Sequence, residues 1–302
     1  MIRQALQHLP GIGPERLKAL DEAGIRDWSS LRRRPDVLFT SPKPQDRLLT
    51  AIDRCEAAVC AADVRYLVRA FASSDQWRIL GHFFDRAAYF DIETSGLDVD
   101  SYVTVVSCYH RGSLHVFSRG SNLEAFLDLL EDIDLLVSFN GASFDVPRIE
   151  QEFHIPSLPC AHVDLRWICH HEQMRGGLKS IEQRLGIERP NDLHGVSGED
   201  AVWLWRLWED HDNTEALDRL VRYCGADVLT LQMLAARMLQ GKHVPVNAPT
   251  PQDLWGLLDV LRPATPPAAR EPEPPAESIE FDTASRLQRR LEQTWQRRRH
   301  AR

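Results

Sequence analysis

Residues 87–97, AAYFDIETSGL, constrain this chain most. The first six read as a buried strand, with small and aromatic apolar residues leading to Ile92. Side chains two apart on a strand point to the same face, so Asp91 and Glu93 stand side by side at the strand's end. A fold built on this strand must hold two neighbouring carboxylates against its own core. The chain is long enough to bury such a core: 302 residues, 43% hydrophobic and 26% charged, match a large globular domain with additions.

The pattern before and after this strand divides the chain. Residues 1–60 are helical and short-looped. "ALQHLPGIGPERLKALDEAGI" reads as helix, tight turn, helix, with Pro10 stopping the first helix and Pro14 opening the second. "DWSSLRRRPDVLF" opens another helix with Asp27 or Ser29 as cap, and residues 45–70 read as helix. From 87 onward, strands are expected at 87–93, 102–109 and 114–118. The turns between them contain Gly96 and Gly112, so these three pair antiparallel. A helix at 122–131, a strand at 134–139, the turn NGAS, a helix at 144–153 and a strand at 158–164 follow. The rest is helical, with a long apolar periodicity through 216–239. The expected fold is α/β, a mixed sheet flanked by helices with a small N-terminal all-α domain. Residues 262–277 form a Pro-rich linker, and 278–302 a basic amphipathic helix with Leu287, Leu291 and Trp295 on one side. That helix suits a docking or solvated tail, a nucleic-acid arm or a membrane-surface helix.

The net charge of −8 argues against nucleic-acid binding by the whole surface, but the charge is unevenly spread. Residues 1–60 carry ten basic and eight acidic groups, residues 87–240 twelve and twenty-five, and residues 278–302 seven and three. No run of about 18 apolar residues exists, and "MIRQALQHLPGIG" lacks an apolar signal core, so a cytoplasmic location without membrane insertion is expected. The six cysteines include no CxxC pair and read as thiols of a reducing compartment. Cys160, His162, Cys169, His170 and His171 crowd one stretch, but their spacing fits none of the usual structural zinc patterns.

Further acids complement the strand pair. Asp145 follows a strand end in "LLVSFNGASFDVPRI", and Tyr223 and Asp227, four apart in "LVRYCGADVLTL", share one helical face beside an apolar stripe. If Asp91, Glu93, Asp145 and Asp227 converge, each close pair of charges costs about 4 kcal/mol at an effective dielectric of 20. Protonation or divalent cations can offset this, and an oxygen-rich cluster suits hard ions such as Mg²⁺ or Mn²⁺. Two such ions about 4 Å apart clamp a phosphodiester, and the Tyr223 hydroxyl could orient the attacking water. Asn140 reads as a turn former or a group near the site. Asp164 reads as the cap of "LRWICHHE" or an acid behind the cluster. Arg175 and Lys179 read as phosphate contacts or solvated side chains.

"DIET", "NGASFD" and "YCGAD" resemble the three exonuclease motifs of the DEDDy branch of the DnaQ-like 3′–5′ exonucleases, which have the ribonuclease H-like fold. "LKSIEQRLGIERPNDLHGVSGEDAVWLW" is similar to the insert of bacterial YprB-like domains. The resemblance spans residues 87–240. It implies two divalent cations held by Asp91, Glu93, Asp145 and Asp227, with Tyr223 as a fifth catalytic residue. It also implies release of nucleoside 5′-monophosphates from a 3′ end.

"LPGIGPERLKAL" contains GxG, but a helix is expected before it and Arg16 stands where a dinucleotide fingerprint needs its third glycine. Residues 5–36 instead resemble the helix-hairpin-helix motif, whose Gly-hydrophobic-Gly turn offers backbone N–H groups to a nucleic-acid phosphate. The resemblance implies contacts through Gly11 and Gly13, with Arg16 and Lys18 nearby. The expected organisation is a nucleic-acid-binding module at 1–60 and a helical connector at 61–86. An exonuclease domain at 87–240, a short helix and linker at 241–277, and the basic tail at 278–302 follow. The expected function is a 3′–5′ exonuclease acting on DNA in preference to RNA. The alternatives are an RNA-trimming exonuclease, a structure-specific endonuclease and a non-catalytic adaptor.

Overall fold

The computed structural model describes residues 1–261; the Pro-rich linker and basic tail helix expected beyond them lie outside the described residues. The described residues form two compact units, Met1–Phe84 with Leu239–Val246, and Asp85–Met238 with residues 247–261.

The first unit holds α1 (Pro14–Glu22), α2 (Trp28–Arg33), α3 (Pro42–Cys60), α4 (Val64–Ala70) and α5 (Gln76–His82). Leu20, Leu31, Leu48, Ile52, Leu67 and Ile79 are fully buried and make its core. Asp27 caps α2 as expected, in a capping box with Ser30. The expected helix at 45–70 is two helices, because Ala62 turns left-handed and Asp63 caps α4 afresh. The helix expected before Pro10 does not form. Ile2–Gln4 makes a single 3₁₀ turn, followed by the turns that carry Leu9 and Ile12 into the core. Trp28 Nε1 donates to the Ala5 carbonyl at 2.6 Å and removes an acceptor a helix would need, while Pro10 biases Leu9 away from helical angles.

In the second unit, β1 (Ala87–Thr94), β2 (Val103–His110), β3 (Ser113–Ser118), β4 (Leu135–Ser138) and β5 (Ala161–Asp164) form one mixed sheet in the order β3-β2-β1-β4-β5. β2 pairs antiparallel with β1 and β3, whereas β1, β4 and β5 run parallel. This is the expected ribonuclease H-like arrangement of strands. β5 begins later than expected; Pro159 has no N–H for a ladder, and the Leu158 N–H is taken by Glu150 at 3.1 Å.

The helices are α6 (Ala125–Glu131), α7 (Asp145–Glu152), α8 (Leu165–His171), α9 (Leu178–Leu185), α10 (Gly198–His211), α11 (Thr214–Gly241) and α12 (Pro251–Asp259). Ala88, Phe90 and Ile92 on one face of β1 pack with Phe126 and Leu130 of α6 and with Ile149 of α7. Asp91 and Glu93 therefore project to the other face, where Cys224 of α11 lies against Asp91. No helix among the described residues is long and apolar enough to cross a membrane.

Candidate functional site

Strand alternation sets Asp91 and Glu93 on the α11 side of β1, and the ladder with β2 shifts register between Glu93 and Thr94. Such a bulge re-aims a side chain at the strand's end. β1 pairs with β4 only through Ala87–Tyr89, because β4 ends at Ser138. Beyond that point the Ile92 N–H needs another acceptor, and Asp145 Oδ1 accepts it at 3.3 Å.

The loop that delivers Asp145 is built for close approach. A Cβ on Gly141 would fall 2.2 Å from Ser138 Oγ and 3.1 Å from Asp145 Oδ2, so only glycine fits there. Asn140 is left-handed, φ +67°, which supports its reading as a turn residue. Asp164 accepts from Arg166 N at 2.9 Å as the cap of α8, and also from Asn140 N at 2.7 Å and Ala142 N at 3.2 Å. One carboxylate thus fastens both a helix start and the loop that positions Asp145.

From α11, Tyr223 and Asp227 enter the same region, both buried. Burial first, then Asp145, Asp227 and Glu93, push the Asp91 carboxyl far above its ordinary range. Glu93 is raised in the same way by burial, Asp227 and Asp145. Asp145 is raised to about 7 by burial, which outweighs the N–H groups of its own residue and of Ile92. The four acids expected from the sequence are thus brought together on one buried patch. Ligand atoms of Asp91, Glu93 and Cys224 lie within 4.8 Å of one another. Burial and the neighbouring carboxylates raise the Cys224 thiol well above its usual range, so it is a neutral neighbour of the acids and no thiolate. The donors left are carboxylate oxygens crowded enough to resist ionising together, which fits hard divalent cations.

Tyr223 is also where the sequence placed it. Burial, then Asp227, Glu93 and Asp91, raise its phenol, which stays protonated across the working pH range. Lys179 is exposed; its Nζ sits 4.9 Å from the Tyr223 ring centre and donates to the Val196 carbonyl.

Two site residues went unassigned in the sequence. Arg189 is 7% exposed and donates from Nη2 to both Asp227 and Glu182, with Nε on Glu182 at 3.0 Å. Cys224 is the other. Neither periodicity nor charge pattern flags them; Arg189 follows α9 in an irregular segment.

At the C-terminal end of β4, Asn140, Arg166, Trp167, His170 and Arg175 line a cleft of about 660 Å³, with Trp167 50% exposed. The crowded Cys and His residues of 160–171 make no metal-ligating group among the described residues. His162 bonds Ser138 at 2.8 Å, and Cys169 contacts Met238 at 3.3 Å.

In the first unit, Gly11 is left-handed at φ +78°, and a Cβ there would meet the Phe39 ring at 3.0 Å. Gly13 caps α1. Arg16 bonds the Gly11 carbonyl and stacks 4.7 Å over Phe39, so it holds the turn, while Lys18 is exposed beside Glu22 at 3.9 Å. Beside the turn, His8, Pro10, Lys43, Arg47, Arg54 and Tyr66 line a cleft of about 800 Å³. Lys43, Arg47 and Arg54 follow helical spacing on one face of α3.

A family model described as the RNase_H superfamily matches residues 88–239. Among solved structures, the chain is similar to the family B DNA polymerase from the hyperthermophilic archaeon Pyrobaculum calidifontis, with TM-score 0.42 and 16% identity over 58% of this chain. The match spans 27% of the polymerase chain. No curated protein sequence matches.

Proposed function

Because this chain belongs to the RNase_H superfamily, we propose that it is a divalent-metal-dependent 3′–5′ exonuclease. It hydrolyses phosphodiester bonds of nucleic acid, DNA in preference to RNA, and releases nucleoside 5′-monophosphates. The observation that carries this reading is the meeting of acids from β1, α7 and α11 at the end of the central strands, where burial and then the neighbouring acids raise Asp91 and Glu93. Two Mg²⁺ or Mn²⁺ ions held by Asp91, Glu93, Asp145 and Asp227 would supply Lewis acidity to the reacting phosphate. The Tyr223 phenol, kept protonated, donates a hydrogen bond that orients the attacking water and does not act as its base. Asp164 and Gly141 hold the loop so that Asp145 keeps its place. Exposed Trp167, with Arg166 and Arg175 in the adjoining cleft, suits stacking of an unpaired base beside its phosphates.

The DEDDy and YprB-like assignments rest on DIET, NGASFD and YCGAD and on the segment that carries Glu182 and Arg189. In this reading residues 87–240 are the exonuclease domain, 61–86 a connector, and 1–60 a tether acting in the cytoplasm, in which the Gly11–Gly13 turn and α1 stand for the hairpin and second helix of a helix-hairpin-helix whose first helix is reduced to a 3₁₀ turn. The cations of the α3 cleft, beside the Gly11–Gly13 turn, support sequence-independent contact with a phosphate backbone.

A second reading, a nucleic-acid-binding adaptor without catalysis, is favoured by one observation: a buried arginine already pairs with Asp227. Strands of DNA and RNA labelled at either end, single and duplex, separate the two when incubated with Mn²⁺ and then with EDTA. The exonuclease gives metal-dependent ladders shortening from the 3′ end, and Asp227→Asn abolishes them while the circular dichroism spectrum is kept. Binding without cleavage in the wild type establishes the adaptor, and internal cuts an endonuclease.

A further inference from the structure

Arg189 raises a question of charge. Its guanidinium forks onto Glu182 through Nε and Nη2, and Nη2 also reaches Asp227. Forked arginine–carboxylate pairs are the geometrically fixed kind, so Glu182 is the anchor and Asp227 the single-bonded partner. Nη1 is buried with no hydrogen-bond partner. Buried donors without partners are rare, and each calls for an explanation. At the backbone, the Arg189 carbonyl is paired with His194 Nε2 at 2.8 Å and Pro190 follows. The bond from Nη2 to Asp227 can break, however, while Nε and Nη2 stay forked on Glu182.

We propose that Arg189 is an exchangeable counter-ion of the carboxylate cluster. Anchored on Glu182, it neutralises Asp227 while no divalent cation is bound and yields that carboxylate when one binds. This rests on the metal-site reading given above. Without the arginine, Asp227 would lie buried beside the other three acids with no cation bonded to it. With the arginine, the metal-free cluster is tolerated. In exchange, cation binding must break a charge-assisted hydrogen bond, so the site fills only where divalent ions are plentiful.

Calorimetric Mn²⁺ binding to the full chain tests this, because the counter-ion role moves two variants in opposite directions. Arg189→Met removes the competitor and should tighten Mn²⁺ binding about ten- to hundredfold, the scale of one charge-assisted hydrogen bond. Its melting temperature in EDTA should fall and be recovered by Mn²⁺. Glu182→Gln removes the anchor and leaves the guanidinium to Asp227 alone, so Mn²⁺ should bind more weakly than to the wild type. A merely structural arginine would shift both variants the same way, and that result overturns the proposal. So does unchanged affinity in Glu182→Gln, which decides the matter should Arg189→Met not fold. Asp227→Asn is the control. If it leaves Mn²⁺ binding intact, the metal-site reading itself fails; if it abolishes binding while Glu182→Gln and Arg189→Met do nothing, only the counter-ion role falls.

Discussion

Replacing Asp145 with asparagine should make the metal-free protein more stable at neutral pH, the reverse of what losing a buried, hydrogen-bonded acid usually does. Burial raises the Asp145 carboxyl to about 7, whereas an unfolded aspartate titrates near 3.9. Between these values the folded state binds the extra proton. Its contribution to stability is therefore full below the unfolded value and is lost as pH rises through about 7. From pH 5 to 7 the slope is about 1.4 kcal/mol per unit, so by pH 8 the wild type has lost about 3 kcal/mol through this group. Asparagine mimics the neutral carboxyl at every pH and loses nothing. Asp91 and Glu93 are raised by burial and in part by Asp145, so losing the Asp145 charge also relieves them and widens the difference in the same direction. Urea denaturation in EDTA at pH 5, 6, 7 and 8 measures that difference. The gap, Asp145→Asn minus wild type, should grow by about 3 kcal/mol, or about 6–12 °C in melting temperature for a domain of this size. Saturating Mn²⁺ should close it from the wild-type side. A gap that stays flat from pH 5 to 8 would show that Asp145 is ionised throughout, and the argument from crowded carboxylates would fail.

Two further outcomes are expected. Tyr223→Phe should lower turnover about a hundredfold, the scale of lost positioning, with Mn²⁺ affinity unchanged; since the phenol stays protonated, the alkaline limb of the wild-type pH–rate profile should be the same in the variant. The triple variant Lys43→Glu/Arg47→Glu/Arg54→Glu should weaken duplex binding and flatten the plot of log affinity against log salt by about 2 to 3, as expected for three lost phosphate contacts. Cleavage of a short single strand should persist, and an unchanged salt slope would remove the α3 cleft from the interface.

Much of this protein is written locally. The alternation in AAYFDIET places Asp91 and Glu93 on one face of β1 whatever surrounds them, and a spacing of four puts Tyr223 and Asp227 on one face of α11. Turn chemistry is equally local: Asn140 adopts positive φ, and Asp27 caps α2, as their side chains favour. Local patterning fails where a distant group competes for the backbone. Residues 5–9 carry helix-compatible residues, yet Trp28 takes the Ala5 carbonyl and the helix is lost. Asp164 reads as a helix cap from its neighbours alone, and only the folded chain adds its hold on the loop before Asp145.

The amino-acid order by itself therefore determined which strand and helix faces are acidic, and in which order they occur, because both periodicities are properties of the backbone. Tertiary structure alone decided that those faces meet, that burial and then their neighbours raise Asp91 and Glu93, and that Arg189 from an irregular segment is drawn onto Asp227 and Glu182. Charge interactions depend on distance through space, and for groups far apart along the chain that distance exists only once the chain has folded.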